Sequence, residues 1–519
     1  MTPRPTAKPA QSGSFELMDT TLRDGEQTEG VSILTEEKLA IARALLETLK
    51  VDRLEVASAR VSQGEHATLK TICNWARRAG YLDRIEVLGF VDHKLSVDWV
   101  QSAGGKVVNL LTKGSRKHCE MQLGKTLAQH LKDINQTVGY GVGRGIQFNI
   151  YLEDWSGGML YSPDHVFAML DAVAKMPFKR IMLPDTLGLL APPQVERFIG
   201  EMVDRHPGTL FDFHAHNDYG LATANCLAAL KAGARAIHAT INGLGERAGN
   251  APLDEVVVGA KDFLGLRCAI NEKRLADVSR LTAVFTGKRI AWNKPITGED
   301  VFTQTAGIHA DGDKKGELYT SRLTPDRFGR KRSYALGKLM GKASLDFNLA
   351  KLGIHLNKEQ KQLLLRRIVE LADTKKSITG EDLPFIISDV LGQPGERLFE
   401  IKDFMIVSNR GLRPAASILV CCRGKEYQAT ATGDGGYDAF FKALCTLEKD
   451  LGFKLPRLVD YNVRIPPGGK TDALVETTIT WEGGLKTRGV NSDQLTAAID
   501  ATSHAMNIIA RSAKNVSKR

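Results

Sequence analysis

The chain has 519 residues, 43% hydrophobic and 25% charged, the composition of a soluble globular protein with apolar mass for more than one domain. Its net charge is +10, but the basic residues are scattered apart from one cluster (Arg327, Arg330, Lys331, Arg332), aromatic residues make up 7%, and no nucleic-acid motif is present, which excludes nucleic acid and points to an anionic small molecule. No apolar run approaches the ~18 residues of a membrane helix, and seven cysteines without a C-x-x-C pair argue against disulfides and structural zinc and for the reducing cytoplasm.

In chain order, residues 1–14 (MTPRPTAKPAQSGS) are rich in Pro, Ala and Ser and lack the apolar centre of a signal peptide, so they read as a flexible tail. From 15 to 270, short apolar runs alternate with amphipathic stretches. The runs fall at 15–18, 53–57, 85–90, 107–111, 146–152, 181–183, 210–213 and 236–241, with helical periodicity at 36–50, 66–79, 163–176, 192–206 and 219–232. This predicts an α/β fold, a (β/α)8 TIM barrel, with a doubly wound sheet as the alternative. Residues 271–392 lose the alternation and read as mainly helical (273–287, 358–375, 383–391), with a Gly-rich polar insert at 303–315. After Gln393-Pro394-Gly395 the pattern turns β-rich. Residues 393–519 are expected to form a C-terminal α+β regulatory domain with an internal repeat, 418–444 and 475–506 each reading strand, Gly turn, strand, loop and amphipathic helix. Such a duplicated module predicts effector binding, with dimerisation alone as the simpler reading.

Polar residues gather just after the predicted strands, where a barrel builds its active site. Asp24 follows the first run, and His214 and His216, at i and i+2 on an extended backbone, project to one side. One carboxylate and two imidazoles leave a divalent metal with open positions, and zinc, manganese and magnesium all suit the set. Asn250, in the Gly-rich turn 243–250, is either a further ligand through its amide oxygen or a turn residue. Arg23 offers a fork for a substrate carboxylate. Glu153 is an acid/base candidate or a partner for Arg23. Thr186 either bonds a substrate carboxylate or caps a helix. His309, beside Asp311 and Asp313 on the insert, is a second base candidate, against the reading of a solvated loop histidine. Leu88, Leu111 and Tyr151, bulky and apolar at strand ends, either fill the barrel or wall a small substrate pocket.

Taken together, DTTLRDGEQ (19–27), HAHNDYGLA (214–222), NGLGERAGNAPL (242–253) and TQTAGIHADGDKKGELY (303–319) resemble the family of metal-dependent enzymes that condense acyl-CoA with 2-keto acids, the isopropylmalate, citramalate and homocitrate synthases. The resemblance spans nearly the whole chain. It implies a divalent metal at Asp24, His214 and His216, acetyl-CoA as cosubstrate, and catalytic roles for Arg23, Glu153, His309, Asp311 and Tyr319. It also implies a homodimer, with the His309 segment reaching the neighbouring subunit's barrel. Homocitrate synthases usually carry Glu where this chain has Asp24. The stretches LKVDRLEVASARVS (49–62), NLLTKGS (109–115), NIYLEDWSGG (149–158), RFGRKRSYALGK (327–338) and RIPPGGKTDALVETTITW (464–481) are similar to the citramalate-forming branch. That similarity implies pyruvate as acceptor, the entry step of a threonine-independent isoleucine route, and isoleucine as effector. The isopropylmalate-forming branch, which takes 2-ketoisovalerate for leucine synthesis, is the alternative. The run 337–342 reads GKLMGK where the family commonly has G-K-H-S-G-R, a departure that bears on subdomain contacts.

Overall fold

The strand Phe211–Ala215 (FDFHA) carries two faces. Phe211, Phe213 and Ala215 join the apolar cluster beneath the helices, while Asp212 and His214 alternate with them on the other side, as the two-residue repeat of a strand requires. Phe213 meets Trp155 edge-on at 6.3 Å, and Trp155 meets Phe198 on a neighbouring helix at the same distance. Each large apolar side chain fully buried in this layer contributes roughly 1.5–3 kcal/mol.

The structure, a computed structural model, describes residues 13–316, 318–351, 354–374, 383, 386–387, 398–464 and 475–516. Eight parallel strands close into a barrel in sequential order: β1 (Glu16–Asp19), β2 (Arg53–Ser58), β3 (Ile85–Phe90), β4 (Val107–Lys113), β5 (Gln147–Glu153), β6 (Phe178–Asp185), β7 (Phe211–Ala215) and β8 (Ala236–Ala239). The TIM barrel is therefore as expected, and the doubly wound alternative is excluded by the β1–β8 pairing.

The interior of the barrel corrects the reading of its strands as apolar runs. In β2 only Leu54, Val56 and Ala57 belong to the apolar layer. Arg53 instead crosses the lumen to Asp212 on β7 and also bonds Glu86 at 3.1 Å, while Arg180 bonds Asp212 at 3.2 Å and Glu16 at 2.6 Å. Glu55 accepts from Asn109 at 2.8 Å, and Asn109 from Asn149 at 2.8 Å. Buried charge is tolerated here because each group meets an opposite charge or a donor.

Four barrel helices were not foreseen: Leu95–Ser102, Leu127–Val142, Trp155–Tyr161 and Leu253–Leu264. The second carries Gly139 and Gly141 and has weak intrinsic propensity. It is started by a capping box between Thr126 and Gln129 and held by buried Ile134 and Val138.

The described chain divides into two units, Met1–Thr303 with Tyr319–Ser333, and Gln304–Leu318 with Tyr334–Arg519. In the second unit the insert expected as a loop is a helix, Gly307–Gly316, with Asp311 and Lys315 paired one turn apart at 2.6 Å. Helices Lys342–Lys351 and Lys358–Thr374 pack Leu345, Leu349, Leu364 and Ile368 into a small core. The C-terminal repeat gains a leading strand in each copy. The first copy runs β9 (Phe399–Asn409), β10 (Leu412–Cys422), β11 (Lys425–Thr432) and helix Gly436–Thr446; the second runs β12 (Leu458–Arg464), β13 (Val475–Trp481), β14 (Lys486–Asn491) and helix Gln494–Val516. Both sheets are antiparallel, and both copies share one core through Val420, Phe440, Ile479, Trp481 and Met506. Asn507 of the last helix clamps Phe399 by bonds to its backbone N–H (3.1 Å) and carbonyl (2.6 Å).

Most of the expected tail, most of the helix expected at 383–391, the turn Gln393-Pro394-Gly395 and residues 465–474 of the RIPPGG stretch lie outside the described residues. Among those described, no helix is long and apolar enough to cross a membrane.

Candidate active site

The loop after β1 is shaped by its own side chains. Asp19 accepts from the Thr21 backbone N–H at 2.8 Å and from its hydroxyl at 3.0 Å, and burial pushes the Asp19 carboxyl up to about 7 against those bonds. Thr20 donates to Glu55 at 2.8 Å. This turn presents Arg23 and Asp24 side by side over the C-terminal ends of the strands. Arg23 donates through Nε to Glu55 (2.6 Å) and through Nη1 to Asp24 (3.0 Å), so its plane is set from below and from the side.

Asp24 Oδ2 lies 3.4 Å from His214 Nε2 and 4.0 Å from His216 Nε2, and the two imidazole nitrogens are 3.2 Å apart. Burial would raise the Asp24 carboxyl, but Arg23, His214, His216 and the Asn250 amide outweigh it and hold it at about 2. Burial drives His214 well below the ordinary imidazole range and lowers His216 too, with Asp24 opposing in both cases. One ionised carboxylate and two imidazole nitrogens thus point at one another within 4.8 Å. Nδ1 of each imidazole is buried without a hydrogen-bond partner among the described residues. Two imidazoles facing each other share at most one proton between them. A cation among three such acceptors, at bonds of ~2.0–2.2 Å, fits this donor set.

Asn250 enters through its nitrogen, which donates to Asp24 Oδ1 at 3.1 Å and to the Leu244 carbonyl at 2.9 Å. Its Oδ1 is buried without a hydrogen-bond partner among the described residues. The turn that carries it depends on Gly249, at φ +82°, where a Cβ would lie 1.9 Å from the Gly243 carbonyl oxygen. Arg247 in the same turn forks onto Asp218 (2.7 and 2.9 Å) and donates to the Thr186 carbonyl at 2.9 Å, which ties this turn to the HAHND segment.

A cavity of about 390 Å³ opens beside these groups. Leu88, Leu111, Tyr151, Glu153 and Thr186 line it with Arg23. Leu88, Tyr151, Met18 and Met182 form one small cluster with Leu111 packed against it. Tyr151 is not simply apolar. Its hydroxyl bonds His238 Nδ1 at 3.0 Å, and His238 Nε2 lies 3.2 Å from Asp212. The Thr186 hydroxyl accepts from the Asp154 backbone N–H at 3.0 Å, and the helix that follows begins at Pro192, so Thr186 is not its cap. Glu153 pairs with Lys113 rather than with Arg23.

His309 and Asp311 stand on the second unit's helix Gly307–Gly316. Tyr319 belongs to the first unit, is exposed, and does not line this cavity. Sequence reasoning missed Glu55, Lys113 and His238. The signal for Glu55 was available: Arg53 and Glu55, at i and i+2 in an otherwise apolar strand, share a face that must meet something polar.

Fold and geometry together define a (β/α)8 barrel with a candidate metal site at the C-terminal ends of its strands. Residues 14–282 match the family model described as HMGL-like, 296–376 that of the homocitrate synthase post-HMGL domain-like, and 377–510 that of the LeuA allosteric (dimerisation) domain. The chain belongs to the HMGL-like family. It is 37% identical over 464 residues, 89% of each chain, to a protein of Methanopyrus kandleri provisionally named (R)-citramalate synthase. It is 32% identical to the (R)-citramalate synthase of Methanocaldococcus jannaschii (95% of this chain, 99% of that one). It is also 32% identical to the 2-isopropylmalate synthase of the same organism (95% and 94%). Its relatives are thus acyl-transferring condensing enzymes, and at this distance the two acceptors are not separated by identity.

Proposed function

We propose that the chain condenses acetyl-CoA with pyruvate and hydrolyses the resulting thioester, yielding (R)-citramalate and CoA, in the cytoplasm. The observation that carries this reading is the wall beside Arg23. Leu88, Leu111 and Tyr151 stand where the side chain of a 2-keto acid would project from a carboxylate and carbonyl directed at Arg23 and the Asp24/His214/His216 cluster. A methyl group is accommodated by such a wall. An isopropyl group overlaps it, and each added carbon in a fitted pocket is worth about 1–3 kcal/mol of discrimination.

Asp24, His214 and His216 would hold a divalent metal, with Asn250 steadying Asp24. When bound, the metal polarises the keto group as a Lewis acid. Arg23 directs its remaining donors at the oxygen that gains charge as the new C–C bond forms, the point at which its contact is worth most. Thr186 orients the substrate carboxylate. Glu153 lines the cavity, and we assign it the proton of the acetyl methyl group. His309, with Asp311 and Tyr319, would act on the acetyl-CoA side or in the hydrolysis. The C-terminal module is proposed to pair two copies of the chain and to bind isoleucine.

The test is CoA release by purified, metal-loaded protein offered pyruvate or 2-ketoisovalerate at equal concentration. Pyruvate is expected to be preferred. Preference for 2-ketoisovalerate would make the chain an isopropylmalate-forming enzyme with the same metal cluster and base.

A further inference from the structure

A second cavity of about 390 Å³ adjoins the first, and the two share Phe90, Leu111 and Glu153 in their linings. Glu153 therefore stands on the border between them, within reach of a group entering from either side. What fixes it there is the end of β4. Strand register places Lys113 opposite Glu153, and the Lys113 ammonium bonds Glu153 Oε2.

The two strand ends are tied together around this pair. The Thr112 hydroxyl donates to the Tyr151 carbonyl at 2.6 Å, and Gly114 N–H donates to the Glu153 carbonyl at 2.7 Å. A Cβ on Gly114 would come within 2.6 Å of the Leu152 oxygen, so the backbones touch where the pair begins. Lys113 N–H donates to His130 Nε2 at 3.0 Å, an imidazole that burial and nearby Lys125 push down to about 4, which keeps it an acceptor at neutral pH. Lys113 is buried, so its ammonium is spent on this carboxylate and not on solvent.

We propose that Lys113 is a positioning residue for carbon–carbon bond formation: it ties down Glu153 Oε2 and so holds the ionised carboxylate at the border of the two cavities, with Oε1 left to take the proton. The inference rests on the base role given to Glu153 above. In the step itself the methyl C–H of acetyl-CoA breaks, the proton goes to Glu153, and the electron pair passes through the enolate into the bond to the keto carbon. The carbonyl π pair moves onto the keto oxygen. The ion pair keeps the Glu153 carboxylate in register with Lys113 across the strand pair. A general base contributes about 10²–10⁴-fold to such a step, and a displacement of ~1 Å costs about 10²-fold.

The test compares Lys113→Met and Lys113→Arg with the unaltered protein. Deuterium exchange into the acetyl-CoA methyl group is followed by NMR in D2O with oxamate, a pyruvate isostere that cannot be condensed. Lys113→Met is expected to lower exchange and kcat about 10–100-fold at pH 7 while KM for pyruvate stays within about twofold. Lys113→Arg, which keeps a cation opposite Glu153, should recover most of the lost exchange. Lys113→Gln gives the same readout if the Met variant does not fold. Unaltered exchange in a folded neutral variant, or lowered exchange that Lys113→Arg does not recover, overturns the inference while leaving the proposed function standing. Absence of CoA release from the unaltered protein with either keto acid overturns both.

Discussion

At the base of the lumen, Arg53 and Arg180 meet Glu16, Glu86 and Asp212, and each carboxylate is answered by a guanidinium. At the mouth, Asp24, His214 and His216 meet one another as acceptors, with Arg23 satisfying only one edge of the cluster. Apart from Glu16, which is partly exposed, both clusters are buried, but their states of satisfaction are opposite. A closed set of opposite charges is complete as it stands and stabilises the barrel. A convergent set of lone pairs is complete only when a cation joins it.

Substitutions at the two ends should therefore have crossed effects. Asp24→Asn, at the mouth, is expected to reduce CoA release by 10³-fold or more, because removal of a positioned electrostatic group costs about 10²–10³-fold and the metal is lost as well. Elemental analysis after dialysis should find the variant depleted of divalent metal, with a melting temperature no lower than that of the metal-free unaltered protein. Retained metal at wild-type stoichiometry would break the comparison at its upper end.

Arg53→Met, at the base, should act on stability instead. It leaves Asp212 and Glu86 short of a charge partner, and removing one member of a buried pair costs about 3–5 kcal/mol. Calorimetry should show a lower melting temperature for the barrel, with metal content unchanged in the protein that remains folded. If metal content falls in step with stability, the two clusters are not separable.

Asn250→Ala sharpens the contrast within the mouth. Loss of the amide that steadies Asp24 should weaken metal affinity about 10–100-fold, readable by competition with a chelator, while leaving ligand number intact. The smallest effect is expected at the wall. Leu111→Ala should shift the pyruvate to 2-ketoisovalerate ratio of kcat/KM toward the larger acceptor by about tenfold, roughly 1.4 kcal/mol. An unchanged ratio there and in Leu88→Ala would remove both residues from the selectivity wall.

What could be read without coordinates was what neighbouring residues decide. Strand periodicity, the parity of His214 and His216, and the short motif around Asp24 are properties of a few consecutive positions, and the barrel and its metal-suited cluster followed from them. The four unforeseen helices lay beyond that reach, since a glycine-bearing segment such as Leu127–Val142 is helical because of what Ile134 and Val138 pack against. The helix around His309 was read as a loop for a related reason: its glycines and polar residues hide a helical repeat that the Asp311–Lys315 pair makes visible.

Tertiary structure alone decided who faces whom across the lumen. Arg53 finds Asp212 across the barrel at a separation of 159 in the chain, and Arg180 finds Glu16 at a separation of 164. No local pattern encodes such pairings, because closing the barrel is what brings non-neighbouring strands face to face. The amino-acid sequence by itself determined which residues could be ligands, acids and walls. Barrel closure determined which charges are spent on one another and which are left for a ligand, since satisfaction of a buried charge depends on distance in space and not along the chain.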